Sequence, residues 1–188
     1  MATVAIPAWN ANGVIPPISS ASPTSAERSP YVVSLSEFVL RFGRSTKRRQ
    51  ILNGFLQYRH RLHTAGLTTG FQWLDGSFME NVETTETRDP KDLDVVTFFS
   101  LPVGVTQQQI QVAAPDLLNH GLLKATYFVD AYLVSLGSRA AILVQQSAYW
   151  YSMWSLRRDS AWKGYLQVVL YPVEDALAVL QLQVGGTP

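Results

Sequence analysis

The stretch FQWLDGSFMENVETTETRDPKDLDVVTFF, from Phe71 to Phe99, limits the possible folds more than any other part of the chain. An apolar strand runs up to Gly76-Ser77, a polar loop follows, and a second strand opens with Asp92 and Asp94 one residue apart. Side chains at i and i+2 of a strand share a face, so Asp92 and Asp94 project together while Leu93 and Val95 turn into apolar packing. Two carboxylates held side by side repel each other unless a cation neutralises them. Oxygen donors on a rigid strand, with no histidine or cysteine beside them, suit Mg²⁺ better than zinc or copper. The stretch reads as a metal-dependent nucleotide site.

Around it, the spacing predicts one α+β (α/β) domain over residues 34–188, preceded by an extended Pro-rich arm over 1–33. The arm holds Pro7, Pro16, Pro17, Pro23 and Pro30, half of the ten prolines, so it cannot run as a helix or a central strand. Ile6, Trp9, Val14 and Ile15 give it apolar residues with which to pack on the domain; a disordered leader is the alternative. Ser34 to Glu37 has the form of a capping box, opening a helix through Phe42 that stops at Gly43. Ser45 or Thr46 caps a longer helix ending near Gly66, with Ile51, Leu52, Phe55, Leu56, Arg59 and Leu62 at spacings of three and four. Lys47, Arg48, Arg49, Arg59 and Arg61 fall on its other face, either as a solvated surface or as a phosphate- or RNA-facing patch.

Further along, strands are expected over Thr69–Leu74, Asp92–Phe99, Thr126–Ser135 and Lys163–Tyr171. Residues 79–91 read as a polar loop. Helices are expected over Thr106–Val112, from Pro115 to about Lys124, and from a Ser138 cap to about Trp154, with a final helix after Pro172 and a frayed Gly-Gly end. Nearly half the residues are apolar and the net charge is +1, which suits a sizeable core and gives no global electrostatic case for nucleic acid. The absence of cysteine excludes disulfides and thiolate metal sites. No apolar run is long enough to cross a bilayer and no secretory signal pattern opens the chain, so a cytoplasmic protein is expected.

Asp130 sits alone among the aromatic and aliphatic residues of TYFVDAYLVS. Burying a lone carboxylate is costly without a partner. If its strand lies beside the Asp92–Asp94 strand, three carboxylates converge on one end of the sheet, enough to hold two Mg²⁺ ions about 3.5–4 Å apart. An edge-strand aspartate facing water is the alternative. Gly76 lets the backbone approach a phosphate closely, and Ser77 and the following N–H groups can donate to it, although Asp75-Gly76 is also an ordinary hairpin dipeptide. Arg157, Arg158 and Lys163 lie between a helix and a strand, where they can meet a triphosphate or RNA, or simply form a solvated turn. Tyr149, Trp150, Tyr151 and Trp154 have helical spacing that favours core packing over stacking on a base. His60, His63 and His120 show no ligand spacing.

An apolar strand, Gly76-Ser77, a spacer, Asp92-x-Asp94 and a third acidic residue, Asp130, together resemble the DNA polymerase beta-like nucleotidyltransferase superfamily. The wider chain resembles a bacterial family of small stand-alone nucleotidyltransferase-like proteins, through Gly13-Val14-Ile15-Pro16-Pro17, Arg49, Trp73 to Phe78, and Lys163-Gly164 after an aromatic helix. The spacer from Ser77 to Asp92 is slightly longer than is common in the superfamily, and the large helical domain of the bigger enzymes is missing. The resemblance implies a small mixed sheet with helices mainly on one face and the metal site at one end. It implies that Asp92 and Asp94 hold Mg²⁺ (two ions), that Asp130 completes the metal site and acts as base, and that Gly76, Ser77 and Lys163 bind the nucleotide. It further implies transfer of NMP from an NTP, ATP first among them, to a protein or RNA acceptor, in a toxin–antitoxin or phage-defence setting. The alternative is a catalytically inactive member that binds a cognate partner protein. Tryptophans expected at the surface leave room for a homodimer.

Overall fold

The computed structural model describes residues 3–19 and 22–184. Among them five strands form one mixed sheet: β1 (Tyr31–Val32), β2 (Thr69–Asp75), β3 (Leu93–Ser100), β4 (Val129–Ser135) and β5 (Leu166–Val169), in the order β1-β5-β2-β3-β4. β2 pairs antiparallel with β3 and β5, while β1 runs parallel to β5 and β4 parallel to β3. The architecture is α+β, as expected.

Seven α-helices accompany the strands among the described residues: α1 (Leu35–Phe42), α2 (Thr46–Thr64), α3 (Val82–Thr85), α4 (Gln107–Ala113), α5 (His120–Tyr127), α6 (Ala140–Trp154) and α7 (Asp175–Val184). Ser34 caps α1 by accepting the Glu37 N–H, and Ser45 caps α2 by accepting that of Arg48. Phe38, Phe42, Ile51, Leu52 and Phe55 from these two helices bury themselves with Leu74, Val95 and Val129 of the sheet. Each such side chain contributes about 1.5–3 kcal/mol on leaving water. The opposite face carries a smaller core of Trp73, Val96, Phe98, Val134, Trp150, Trp154 and Tyr165, closed by α6. The helices thus pack mainly on one face, with α6 as the exception.

Several boundaries differ from expectation for local reasons. Residues 79–91 are not an open loop: Met79, Glu80 and Val82 are buried and α3 lies within the segment. The cause is Arg48, whose guanidinium donates to the carbonyls of Phe78 and Glu80, each at 2.6 Å, and pairs with Glu83. The single helix expected from Pro115 is a 3₁₀ turn over Pro115–Leu118 followed by α5, because the Asn119 side chain accepts the Leu122 N–H and starts a new helix. β4 begins at Val129, later than expected, because Phe128 adopts φ 55° and turns the chain out of α5. β5 is likewise shorter than the expected Lys163–Tyr171. Ser138 does not cap α6; Arg139 holds that position without a side-chain bond. The Gly185-Gly186 end lies outside the described residues.

The basic face of α2 is neither a solvated surface nor a phosphate patch. Arg48 and Arg59 are fully buried, Arg59 against Asp175, Gln72 and the Val169 carbonyl, and Arg61 pairs with Asp116 at 2.7 Å. These cations fasten other elements to the helix. The arm is fastened too. Trp9 donates its indole N–H to the Met79 carbonyl at 2.7 Å and lies 4.3 Å from each of the Arg41 and Arg44 guanidinium carbons, while Val14 and Ile15 are buried. The expected surface tryptophans are mostly inside: Trp73, Trp150 and Trp154 are buried, and Trp162 is the one more than half exposed.

Candidate functional site

β2 ends at Asp75, and its register sets Asp75 opposite Asp94 of β3. The β3–β4 register sets Asp94 opposite Asp130. Strand alternation places these three on the face of Trp73, Val96 and Tyr132, so they form the polar end of a row that is otherwise apolar and aromatic. Asp92 stands just before β3 and adds its charge to the group. Asp92, Asp94 and Asp130, separated by up to thirty-eight positions in the sequence, therefore meet at one end of the sheet.

Gly76 continues from β2 with φ 87° and ψ −176°, a conformation that is essentially reserved for glycine. A Cβ there would lie 2.7 Å from Asp94 Oδ2, so the turn passes directly against that carboxylate. Ser77 opens the 3₁₀ turn Ser77–Met79 and is half-buried beside it. Of the residues assigned to nucleotide binding, Gly76 and Ser77 adjoin the carboxylates along the backbone. Lys163 reaches the same place from the strand side but is deeply buried. Its Nζ lies 2.9 Å from Asp75 Oδ2 and donates to Glu80 Oε1 at 3.2 Å. Arg157 supports the outer oxygen of Glu80 at 3.7 Å and pairs with Asp159. Arg158 is exposed.

Burial, with repulsion from Asp75, Asp92 and Asp130, pushes the Asp94 carboxyl up to about 7. Burial also raises Asp75, to about 6, against the opposing pull of Lys163. Lys163 itself is raised, since the charges of Asp75 and Glu80 outweigh the effect of burial. On the open side, Lys124 Nζ lies 2.6 Å from Asp92 Oδ2 and 3.4 Å from Asp130 Oδ2. One ammonium thus touches both carboxylates, which places them within reach of a shared cation.

The donor chemistry fits a hard divalent ion: Asp92, Asp94 and Asp130 offer only carboxylate oxygens, and a cation of the chain already stands between two of them. Among the described residues, no three His, Cys, Asp or Glu side chains are grouped as a ready-made coordination set. Lys124 holds two of the candidate ligands on itself instead.

Asp75, Glu80 and Lys124 are members of the site that sequence reasoning did not single out. Asp75 had a signal, being two residues from Trp73 on one strand, but Asp-Gly reads first as a turn. Glu80 lay in an apparent loop, and Lys124 carried no signal. Of the histidines, His63 contacts the Leu170 carbonyl at 2.8 Å, away from the carboxylates, while His120 packs on Tyr132 with ring centroids 4.7 Å apart.

Residues 7–169 match the model of a family of unknown function, DUF6932. The chain belongs to that family. The span shared with DUF6932 contains every residue of the site and leaves out α7, whose Asp175 holds Arg59. No curated protein and no solved structure matches the chain.

Proposed function

We propose that this member of DUF6932 is a Mg²⁺-dependent nucleotidyltransferase that moves NMP, AMP from ATP before others, onto a protein side chain or an RNA end. The observation that carries this is the register of Asp75, Asp94 and Asp130 on three adjacent strands, with Asp92 beside them and the Gly76-Ser77 turn against Asp94. Asp94, pushed up to about 7 by burial and like charge, gains from any positive charge brought to the cluster.

Asp92, Asp94 and Asp130 would hold Mg²⁺, as two ions. Mg²⁺ bound there would neutralise the triphosphate and the leaving oxygen. Ser77 and the N–H groups after Gly76 would donate to the outer phosphate oxygens. Asp130, more exposed than Asp92, would take the proton of the acceptor hydroxyl. The acceptor oxygen then bonds to the α-phosphorus as the bond to the bridging oxygen breaks, and pyrophosphate leaves. Positioning and charge neutralisation supply most of the rate. The cytoplasm, with its nucleoside triphosphates, is the proposed place of action, and a toxin–antitoxin or phage-defence system the proposed setting. No helix among the described residues is long and apolar enough to cross a membrane.

A second reading, a partner-binding module without turnover, draws support from the Lys124 contacts, which engage the proposed base and a proposed metal ligand together. The test exposes the protein and Asp94→Asn to each α-labelled NTP with Mg²⁺, alone and with cell extract. Label reaching protein or RNA with the wild type only is the expected result. No transfer by either, with equally weak NTP binding, favours the partner-binding module.

A further inference from the structure

We infer that Lys124 is a tethered counter-ion, which holds Asp92 and Asp130 together in the metal-free protein and yields them to a divalent cation, a role that rests on the metal site proposed above. Its Nζ bridges the two carboxylates at 2.6 and 3.4 Å. The tether is short: α5 carries Lys124 in its last turn, Phe128 turns the chain, and Asp130 follows one residue into β4. Such a link keeps the ammonium at high effective concentration beside its partners.

The contact is also easily released. The Lys124 side chain is 53 % exposed, against 18 % for Asp92 and 30 % for Asp130, so the ammonium can swing to water with little change in its own solvation. One positive charge shared between two carboxylates, beside Asp94, leaves the group net negative and receptive to a doubly charged ion. Lys163, the other ammonium at the site, is committed to Asp75 and Glu80 and cannot replace it. A protein whose binding-competent state is only partly populated binds its ligand more weakly in proportion. Lys124 therefore sets the metal affinity below what the carboxylates alone would give.

The experiment titrates Mn²⁺ into the full chain without nucleotide, reading free Mn²⁺ by electron paramagnetic resonance and the thermal midpoint in parallel. Lys124→Met is expected to bind Mn²⁺ roughly tenfold more tightly than wild type, and to show a larger metal-induced rise in midpoint. Lys124→Arg, which keeps the charge, is expected to return the affinity toward the wild-type value. Equal affinity in wild type and Lys124→Met, with binding lost in Asp94→Asn, overturns the counter-ion role and leaves the metal site standing. Absence of Mn²⁺ binding in both wild type and Lys124→Met overturns the metal site itself, and the counter-ion role with it.

Discussion

Two lysines each bridge a pair of carboxylates at this site, and they do so in opposite surroundings. Lys163 is 6 % exposed between Asp75 and Glu80, which are 3 % and 7 % exposed. Lys124 makes similar contacts with Asp92 and Asp130 at the surface. The Coulombic pairing is alike, but the cost of undoing it is not. Removing one partner of a buried ion pair strands a charge away from water, at about 3–5 kcal/mol, whereas an exposed pair is worth about 0–1 kcal/mol. The first bridge is part of the wall and the second is a movable element.

The largest effect expected to separate them is on folding. Lys163→Met should lower stability by about 3–5 kcal/mol in urea unfolding, since Asp75 and Glu80 lose their common partner. A loss below about 1 kcal/mol would mean that water reaches these carboxylates, and the contrast would collapse. Gly76→Ala should cost about 1–3 kcal/mol, because its φ of 87° disfavours a side chain and the new methyl would meet Asp94. A neutral result in the same urea assay would show that the turn can withdraw from the carboxylate.

The acidic side is sharpened by pH. Asp94 rises from an ordinary 3.8 to about 7 and Asp75 to about 6, so the folded protein binds more protons than the unfolded chain between those values. Their contribution to stability is fully present below about pH 4 and is lost as pH rises toward about 7. Asp94→Asn should accordingly be more stable than wild type by about 0.5–2 kcal/mol at pH 8, and the difference should shrink or reverse at pH 4. Thermal melts across that range check the sign. The smallest effect belongs to Lys124→Met, which without metal should lower stability by about 0–1 kcal/mol.

Asp94 of β3 and Asp130 of β4 were legible because strand alternation is local: each breaks an apolar pattern within a few residues, and Asp92 stands two residues before Asp94. The caps at Ser34 and Ser45 were legible for the same reason. What stayed hidden depends on partners distant in sequence. Arg48 and Arg59 look like surface cations on a helical wheel, because nothing near them announces Glu83 or Asp175. Lys163 looked like a free cation in a turn for want of any local sign of Asp75. Asn119 starts and Phe128 ends α5 through single-residue geometry that apolar periodicity does not record.

The position of β5 carries a consequence for biosynthesis. It is the last strand to be made, yet it lies between β1, the first, and β2. Gly164, just ahead of it, donates its N–H to the Ile15 carbonyl at 2.7 Å, and a Cβ there would come within 2.6 Å of the Pro16 carbonyl oxygen. A chain leaving the ribosome must therefore keep its first strand waiting while more than a hundred residues follow. Until β5 emerges, β2 presents a bare edge able to pair with other chains, and Asp75 has no Lys163. A chain interrupted before that point is left adhesive, with its carboxylate wall unfinished.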